Sequence, residues 1–193
     1  MEPLLNHLRQ FGHLSSEDTS LITQHVQTVQ LSANAYFLEA GHVCRNIAFI
    51  AEGVMRVFFY DRTGHELSRY FIAENQYAVD LQSFNTQTVS SEYIQAVTNC
   101  TLLLISRPAL TLFEQHIHDW AVISRKITED ALLKKVFAQP YLLGQDATTR
   151  YVTFVEQNPA LANRIPMMHL ASFLGITPQS LSRIRRQVVE KRY

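Results

Sequence analysis

The segment Met167–Arg186, M-M-H-L-A-S-F-L-G-I-T-P-Q-S-L-S-R-I-R-R, decides the fold of the C-terminal end of the chain. A small residue, Ala171, and a glycine, Gly175, stand where two short helices would cross and turn. Thr177 can cap the second helix, and Pro178 suits its first turn. Apolar residues recur at helical spacing on both sides of the glycine: Leu170, Leu174, Ile176, Leu181 and Ile184. The segment therefore predicts two short helices joined by a tight turn.

The second of these helices carries polar and basic side chains on the faces that its apolar residues leave free. A polar, basic helix after such a turn is typical of the recognition helix of a helix-turn-helix, which enters the major groove of DNA. We expect contacts to base edges from Gln179, Ser182, Arg183 and Arg186. We expect contacts to phosphates from Thr177, Ser180, Arg185, Lys191 and Arg192. A helical hairpin whose arginines only solvate a surface is the alternative.

The charge of the chain is unevenly divided, although its formal net charge is zero. Residues 164–193 contain six Lys/Arg and one Asp/Glu, a net charge of +5, and the preceding 163 residues contain eleven and sixteen, a net charge of −5. Basic charge confined to one end is expected when only that end meets phosphates. The division therefore favours DNA as the partner of the C-terminal segment.

The remaining composition argues against several other classes of protein. No apolar run approaches the ~20 residues that span a bilayer, and the N-terminus lacks the basic and apolar regions of a secretory signal, so we predict a cytoplasmic protein without a membrane partner. Cys44 and Cys100 are too few for a disulfide framework; buried thiols are favoured over a pair or a redox-sensitive site.

No catalytic motif is evident in the sequence. His116 and His118, two apart on a helix, would point away from each other and make a poor metal pair. His42 and His65 stand in turns rather than in a cluster on a strand. We therefore predict no catalytic residues, no metal site, no cofactor and no enzymatic activity.

The pattern of apolar and polar residues changes twice along the chain. Residues 3–29 have a helical pattern, with a helix start at Ser15–Asp18. Asp61–Gly64 then predicts a hairpin turn between two aromatic-rich strands. Short β-rich runs at regular spacing, which predict an antiparallel sandwich or roll, occur at Ala35–Leu38, Asn46–Ala51, Val54–Tyr60, Glu66–Ile72, Ile94–Ala96 and Thr101–Ser106.

A second helical region follows the strands. Apolar residues return every three or four positions through Pro108–Gln139, which predicts one long helix. Such a helix can pack on its own domain and on a second copy of itself, so we expect a homodimer, with a single buried helix as the alternative. A connecting helix is predicted at Ala147–Glu156. The predicted domains are 1–139 and 140–193.

Two stretches carry a resemblance to a known family: Glu39–Tyr60, E-A-G-H-V-C-R-N-I-A-F-I-A-E-G-V-M-R-V-F-F-Y, and Arg164–Arg186. With the long helix between them, they resemble the CRP/FNR family of bacterial transcription regulators over nearly the whole chain. The resemblance implies an α+β fold, with an N-terminal antiparallel β-roll, jelly-roll-like and of the cyclic-nucleotide-binding type, flanking helices, a long dimerisation helix and an all-α helix-turn-helix domain. It implies a homodimer on palindromic double-stranded promoter DNA, RNA polymerase as a further partner and a small-molecule effector whose identity the sequence does not give.

The resemblance also implies a ligand cassette in the roll, which this sequence departs from. Cyclic-nucleotide binders of the family carry Gly-Glu-Leu and then Arg-Ser-Ala; here Val79-Asp80-Leu81 and Ser90-Ser91-Glu92 fall on those segments. Ser90 supplies no charge opposite a phosphate, Val79 adds a side chain where backbone should approach a ligand, and Glu92 would repel the phosphate. We therefore expect no binding of cyclic AMP or cyclic GMP.

Other features of the family are also missing from this sequence. No cysteine precedes Cys44, so the iron–sulfur cluster of FNR-type members is not expected. The β-hairpin wing that follows the recognition helix in many relatives is not expected either. Two further functions stay open: a ligand-binding module that acts through protein–protein contacts, and a cyclic-nucleotide-responsive regulator.

Overall fold

The computed structural model describes residues 1–138 and 145–190, and its N-terminal part is built on two antiparallel sheets. In chain order the strands of that part are β1 (Gln27–Leu31), β2 (Tyr36–Leu38), β3 (Asn46–Glu52), β4 (Met55–Tyr60), β5 (Glu66–Ile72), β6 (Tyr77–Ala78), β7 (Tyr93–Ala96) and β8 (Cys100–Ser106). One sheet has the order β1-β8-β3-β6 and the other β2-β7-β4-β5. The β-roll expected from the sequence is therefore confirmed, with β5 at the edge of the second sheet.

The hairpin between β4 and β5 forms where the sequence predicts it. The Asp61 carboxylate accepts hydrogen bonds from the backbone N–H groups of Thr63 and His65, at 2.8 and 2.9 Å. The Thr63 hydroxyl also donates to this carboxylate at 2.7 Å, and this bond, together with the backbone bonds, lowers the pKa of Asp61 to about 2. Gly64 has φ +84°, which a residue with a side chain rarely adopts.

The space between the two sheets is filled by side chains. Alternate residues of facing strands point inward, as antiparallel sheets with one covered face require. The buried members of this cluster are Leu38, Cys44, Ala48, Ile50, Met55, Val57, Ile72, Ala78, Phe84, Ile94, Ala96, Cys100 and Leu102. The interior of the roll is thus a packed core.

Five helices accompany the roll: α1 (Glu2–Arg9), α2 (Ser16–His25), α3 (Leu81–Thr86), α4 (Arg107–His116) and α5 (Trp120–Ala138). Ser15 caps α2 in a reciprocal capping box with Asp18, which the sequence indicates. The prediction of helix over 3–29 is wrong at two places: the chain turns after Arg9, and Gln27–Leu31 is strand β1, paired with β8. Val29 and Leu31 alternate with polar residues, as apolar residues do in a strand. Pairing with β8 therefore prevails over the helical pattern of the sequence.

The single long helix predicted at Pro108–Gln139 is in fact two helices. Ile117 has an extended backbone and ends α4, and α5 begins at Trp120. Phe113, Ile117, Trp120 and Ile123 are all buried in the same cluster, so the apolar spacing continues across the break and conceals it. The candidate dimerisation helix is therefore α5, and residue 139 lies outside the described part of the chain.

Four helices form the described part of the C-terminal unit: α6 (Ala147–Gln157), α7 (Pro159–Ala162), α8 (Met167–Phe173) and α9 (Pro178–Glu190). The helices predicted around 147–156 and in the segment 167–186 are confirmed. Their cluster also takes in Val54 and Val97 from the roll. The C-terminal unit is thus packed on the roll. Within the described ranges, no helix combines the length and the apolar composition needed to cross a bilayer.

Candidate nucleic-acid interface

The turn between α8 and α9 has the geometry that the sequence predicts. Gly175 has φ +65°, a left-handed conformation that favours glycine. Ala171 is fully buried where the two helices meet. Leu174, Leu181 and Ile184 are also buried in the cluster that holds the C-terminal helices together. The helices and the turn of the predicted helix-turn-helix are therefore present.

The start of α9 is fixed by the cap that the sequence predicts. The hydroxyl of Thr177 accepts a hydrogen bond from the backbone N–H of Ser180 at 3.1 Å. The hydroxyls of Thr177 and Ser180 also lie 3.0 Å apart. Both residues are exposed, so they remain at the surface while they hold the first turn of α9.

One face of α9 is exposed and polar, and the opposite face is buried. The four residues that we expect at base edges are all exposed and follow the spacing i, i+3, i+4, i+7 of a single helix face: Gln179, Ser182, Arg183 and Arg186. Leu181 and Ile184 anchor the other face. Sequence reasoning missed Gln187, which is exposed beside Arg183 on the same face. α9 therefore presents a narrow polar stripe with two arginines.

The basic residues of the C-terminal unit differ in how accessible their side chains are to a partner. Arg185 is half-buried, and its Nε donates to the Tyr151 hydroxyl on α6 at 3.2 Å. The sequence-based reading missed Arg150, whose Nη1 lies 3.9 Å from where a Cβ on Gly175 would stand. Arg150 is a further cation beside the turn. Lys191 and Arg192, both predicted phosphate contacts, lie outside the described residues.

Arg164 faces the roll and not a free surface. Its Nη1 and Nη2 donate to the two carboxylate oxygens of Glu74 at 2.9 and 2.6 Å. Glu74 also accepts from the backbone N–H of Gly53 at 2.8 Å. The Arg164 hydrogen bonds hold the pKa of Glu74 at about 2. Arg164 was counted in the net charge of +5, and this pairing removes it from the charge available to DNA.

The helix α8 lies against the edge strand β5. The Ser172 hydroxyl accepts from the backbone N–H of Ser68 at 2.9 Å and donates to the backbone carbonyl of Glu66 at 2.8 Å. Beside it, Phe173 packs on Phe71 of β5, with ring centroids 5.5 Å apart. The first helix of the helix-turn-helix thus covers an edge that would otherwise leave backbone groups unpaired.

The fold matches those of several solved structures. A protein of Eubacterium rectale described as a transcriptional regulator of the CRP/FNR family matches with a TM-score of 0.69, at 13% identity over 92% of this chain and 85% of that one. The c-di-GMP-responsive global regulator CLP of Xanthomonas campestris matches with a TM-score of 0.73, at 14% identity over 92% and 93%. A cyclic nucleotide-binding domain-containing protein of Listeria monocytogenes matches with a TM-score of 0.71, at 15% identity over 98% and 90%.

The chain has the fold of the CRP/FNR-type regulators. The sequence itself matches no protein-family model and no curated protein. The α+β architecture expected from the resemblance, a roll followed by a helical C-terminal unit, is confirmed.

In this CRP/FNR-type roll, the first cassette segment takes part in local packing. Asp80 caps α3 by accepting from the backbone N–H of Ser83 at 3.0 Å. Val79 packs against the core between the sheets, and Leu81 is half exposed. The Asp80 carboxylate is therefore already engaged by the helix that it starts.

The second cassette segment is likewise held by its own neighbours. Ser90 is buried, and its hydroxyl bonds to the backbone of Glu92 at 3.0 and 3.2 Å. Glu92 forms an ion pair with Arg69, so the negative charge that was expected to repel a phosphate is paired with a cation. Ser91 and Glu92, with Phe59, Tyr60 and Arg69, border an open groove on the outside of the roll.

The candidate metal and thiol sites have simpler environments. Cys44 and Cys100 are buried free thiols, and burial raises the pKa of both. The two histidines considered as a metal pair are separated by the end of α4, with His116 in the helix and His118 beyond it. In residues 1–138 and 145–190, no three His, Cys, Asp or Glu side chains come together as ligands for a metal ion.

Proposed function

We propose that this chain is a DNA-binding transcription regulator of the CRP/FNR type. The observation that carries the proposal is α9, which has one buried apolar face and one exposed face with Gln179, Ser182, Arg183 and Arg186. A helix so placed after a tight turn can enter the major groove, where arginine can donate two hydrogen bonds to guanine. Several proteins with this fold are also described as regulators.

We further propose that the regulator is a homodimer, with domains 1–139 and 140–193. Val122, Leu132 and Leu133 are large apolar side chains exposed on α5, opposite its buried residues Trp120 and Ile123. Pairing of two α5 helices would remove this apolar surface from water. Two recognition helices related by the resulting twofold axis would read half-sites about 34 Å apart.

The roll of this regulator binds neither cyclic AMP nor cyclic GMP in our proposal. Three features support this: the packed core between the sheets, the buried and uncharged Ser90, and the engagement of Asp80 in a helix cap. Calorimetry with the purified protein and each nucleotide tests it. Micromolar binding of either nucleotide would contradict the proposal and favour a cyclic-nucleotide-responsive regulator.

The proposed protein acts in the cytoplasm, catalyses no reaction and needs no cofactor. RNA polymerase and a small molecule of a class still to be identified are its further proposed partners. A signal in the roll would change the pairing of α5 and so the spacing of the two recognition helices.

The salt dependence of binding separates DNA recognition from a protein contact. Binding of the protein to duplex DNA is measured between about 50 and 200 mM salt. The three cations expected at phosphates in each subunit, Arg185, Lys191 and Arg192, would neutralise about six phosphates in a dimer, which predicts a slope of log K against log salt of about −5. A slope near zero, or no binding to any duplex at the lowest salt, would favour the alternative in which the C-terminal helices meet a protein.

A further inference from the structure

The contact between α8 and β5 is built from polar groups as well as from apolar ones. The Ser172 hydroxyl bonds to two backbone groups of β5, the N–H of Ser68 and the carbonyl of Glu66. Both Ser68 and His169 are buried by this contact. The backbone N–H of Ser68 can exchange with water only when Ser172 moves away, so it reports directly on the contact.

A buried cation lies beneath α8. Arg56 on β4 is only 2% exposed. Its guanidinium donates to Gln95 Oε1 at 2.9 and 2.5 Å, to the Ser68 hydroxyl at 3.3 Å and to the Glu66 carboxylate. It also stands 4.1 Å above the ring of Phe58. These partners fix the positive charge of Arg56 in place next to α8.

His169 of α8 faces this charged pair without a hydrogen bond at Nδ1. Its side chain is nearly buried, and Nδ1 lies 3.7 Å from Glu66 Oε1, beyond hydrogen-bond distance. The charged groups that act on the imidazole are Arg56 on β4 and Glu66 on β5. On its other side, α8 packs on α9 through apolar residues, Leu181 and Ile184. Burial and then the charge of Arg56 lower the pKa of His169, and Glu66 opposes them only in part.

We propose that the contact between α8 and β5 is a proton-sensitive latch, closed when His169 is neutral and opened when His169 is protonated. A second positive charge beside the buried Arg56 has no carboxylate of its own, because Glu66 is already bound to Arg56. Movement of α8 away from β5 would give the protonated imidazole access to water. The orientation of the helix-turn-helix on the roll thereby depends on pH, whether or not DNA is present.

The ion pair between Arg164 and Glu74 serves as the pivot of this movement. The pKa of Glu74 is held at about 2, so its carboxylate stays ionised at the pH that protonates a histidine. Because the pKa of His169 is lowered in the closed state, the free energy of closing is fully present above the ordinary histidine pKa of 6.5. It is lost as the pH falls below that value. Acidification would therefore release α8 while Arg164 remains tethered.

Hydrogen exchange of the Ser68 amide in the free, full-length protein tests the latch. Exchange is measured by NMR at pH 7.5 and pH 5.5 in the wild type and in His169→Gln, which keeps a polar side chain of similar size but cannot take up a proton. Comparison at one pH removes the intrinsic effect of pH on exchange. At pH 5.5 the Ser68 amide of the wild type should exchange faster than that of the variant, by up to about tenfold one unit below the ordinary pKa. At pH 7.5 the two should agree.

Two controls keep the result specific to the latch. The amide of Leu103, in strand β8 between two neighbours, should exchange equally slowly in both proteins. Ser172→Ala should lose the protection of Ser68 at both pH values. Equal Ser68 exchange in the wild type and His169→Gln at pH 5.5 would overturn the proposal. Should His169→Gln not fold, the imidazole of His169 is titrated by NMR in the wild type, and a pKa at or above 6.5 would overturn it equally. No DNA is used, so neither result bears on the proposed function.

Discussion

At the residue scale, Arg183 is the side chain on which the proposed recognition of a DNA sequence depends most. It lies in the middle of the exposed face of α9, and among the described residues no carboxylate pairs with its guanidinium, unlike that of Arg164. An arginine in this position can donate to both O6 and N7 of guanine.

Arg183→Ala should weaken binding to the preferred DNA sequence by ~1–3 kcal/mol and relax the base preference at one position of each half-site. The measurement is the affinity for the preferred duplex and for its single-base variants. Arg45→Ala, which removes an equal charge from the surface of the roll, should change neither. A uniform loss over all duplexes would mean that Arg183 meets a phosphate instead.

A second residue-scale prediction concerns Glu74 and the attachment of the C-terminal unit. Its pKa of about 2 is depressed from the ordinary 4.5, so its pairing with Arg164 stabilises the folded protein above about pH 4.5 and loses that effect as the pH falls toward 2. Because both side chains are about one third exposed, we expect Glu74→Gln to cost about 1 kcal/mol at pH 7, well below the full electrostatic value.

Denaturant unfolding of Glu74→Gln and of the wild type, followed by circular dichroism at several pH values, measures this effect. The difference in unfolding free energy should shrink as the pH falls below 4.5. A difference that stays constant with pH would show that Glu74 acts through packing and not through its charge. Glu39→Gln, which neutralises an exposed carboxylate outside the helices, provides the control and should show no effect.

At the element scale, local signals predicted more of the structure than apolar periodicity did. The Asp61–Gly64 hairpin, the Thr177 cap and the Gly175 turn each rest on residues with one special conformational property, and each is found where expected. The break between α4 and α5 was missed because Phe113, Ile117, Trp120 and Ile123 keep helical spacing across it. Strand β1 was missed because a helical pattern extends over most of its residues, and β6 was missed because it has only two residues.

Substitution of Gly175 should affect the turn between α8 and α9. A Cβ at this position would meet nothing closer than Arg150 Nη1 at 3.9 Å, so substitution strains only the backbone, at φ +65°. Gly175→Ala should destabilise the helix-turn-helix by about 1–2 kcal/mol and weaken DNA binding. Gly175→Asn should cost less, since asparagine tolerates the left-handed conformation. Thermal unfolding of the two variants decides the point, and an equal loss in both would contradict a backbone origin.

At the scale of the whole molecule, the sequence did not predict how the C-terminal unit is attached. The C-terminal unit contacts the roll through the ion pair of Arg164 with Glu74, through the hydrogen bonds of Ser172 to β5, and through His169, which lies beside Arg56. No local pattern marks these residues, because each pairing joins positions about 90 or more apart in the chain. The resemblance to a family predicted the architecture, but it did not predict the contacts between its parts.

The proposed homodimer gives a prediction that concerns the whole molecule. Leu133 is 54% exposed on α5, and an apolar side chain there gains from burial against a second copy. In sedimentation equilibrium the wild type should have twice the chain mass of 22.2 kDa, and Leu133→Glu should sediment as a monomer. Gln24→Glu, which adds the same charge to an exposed position of α2, should remain dimeric. A wild type that sediments as a monomer at micromolar concentration would contradict the proposed assembly.

The measurement that tests the central claim most directly is selection of bound sequences from random duplex DNA by the purified protein, at near-physiological salt. A dimer with one α9 in each half-site predicts enrichment of a palindrome whose half-sites are centred about one helical turn apart. The same selection with Arg183→Ala should yield a degenerate or different sequence. No enrichment by the wild type, either alone or with cell extract added to supply an effector, would contradict a DNA-binding regulator and leave the C-terminal helices as a protein-binding surface.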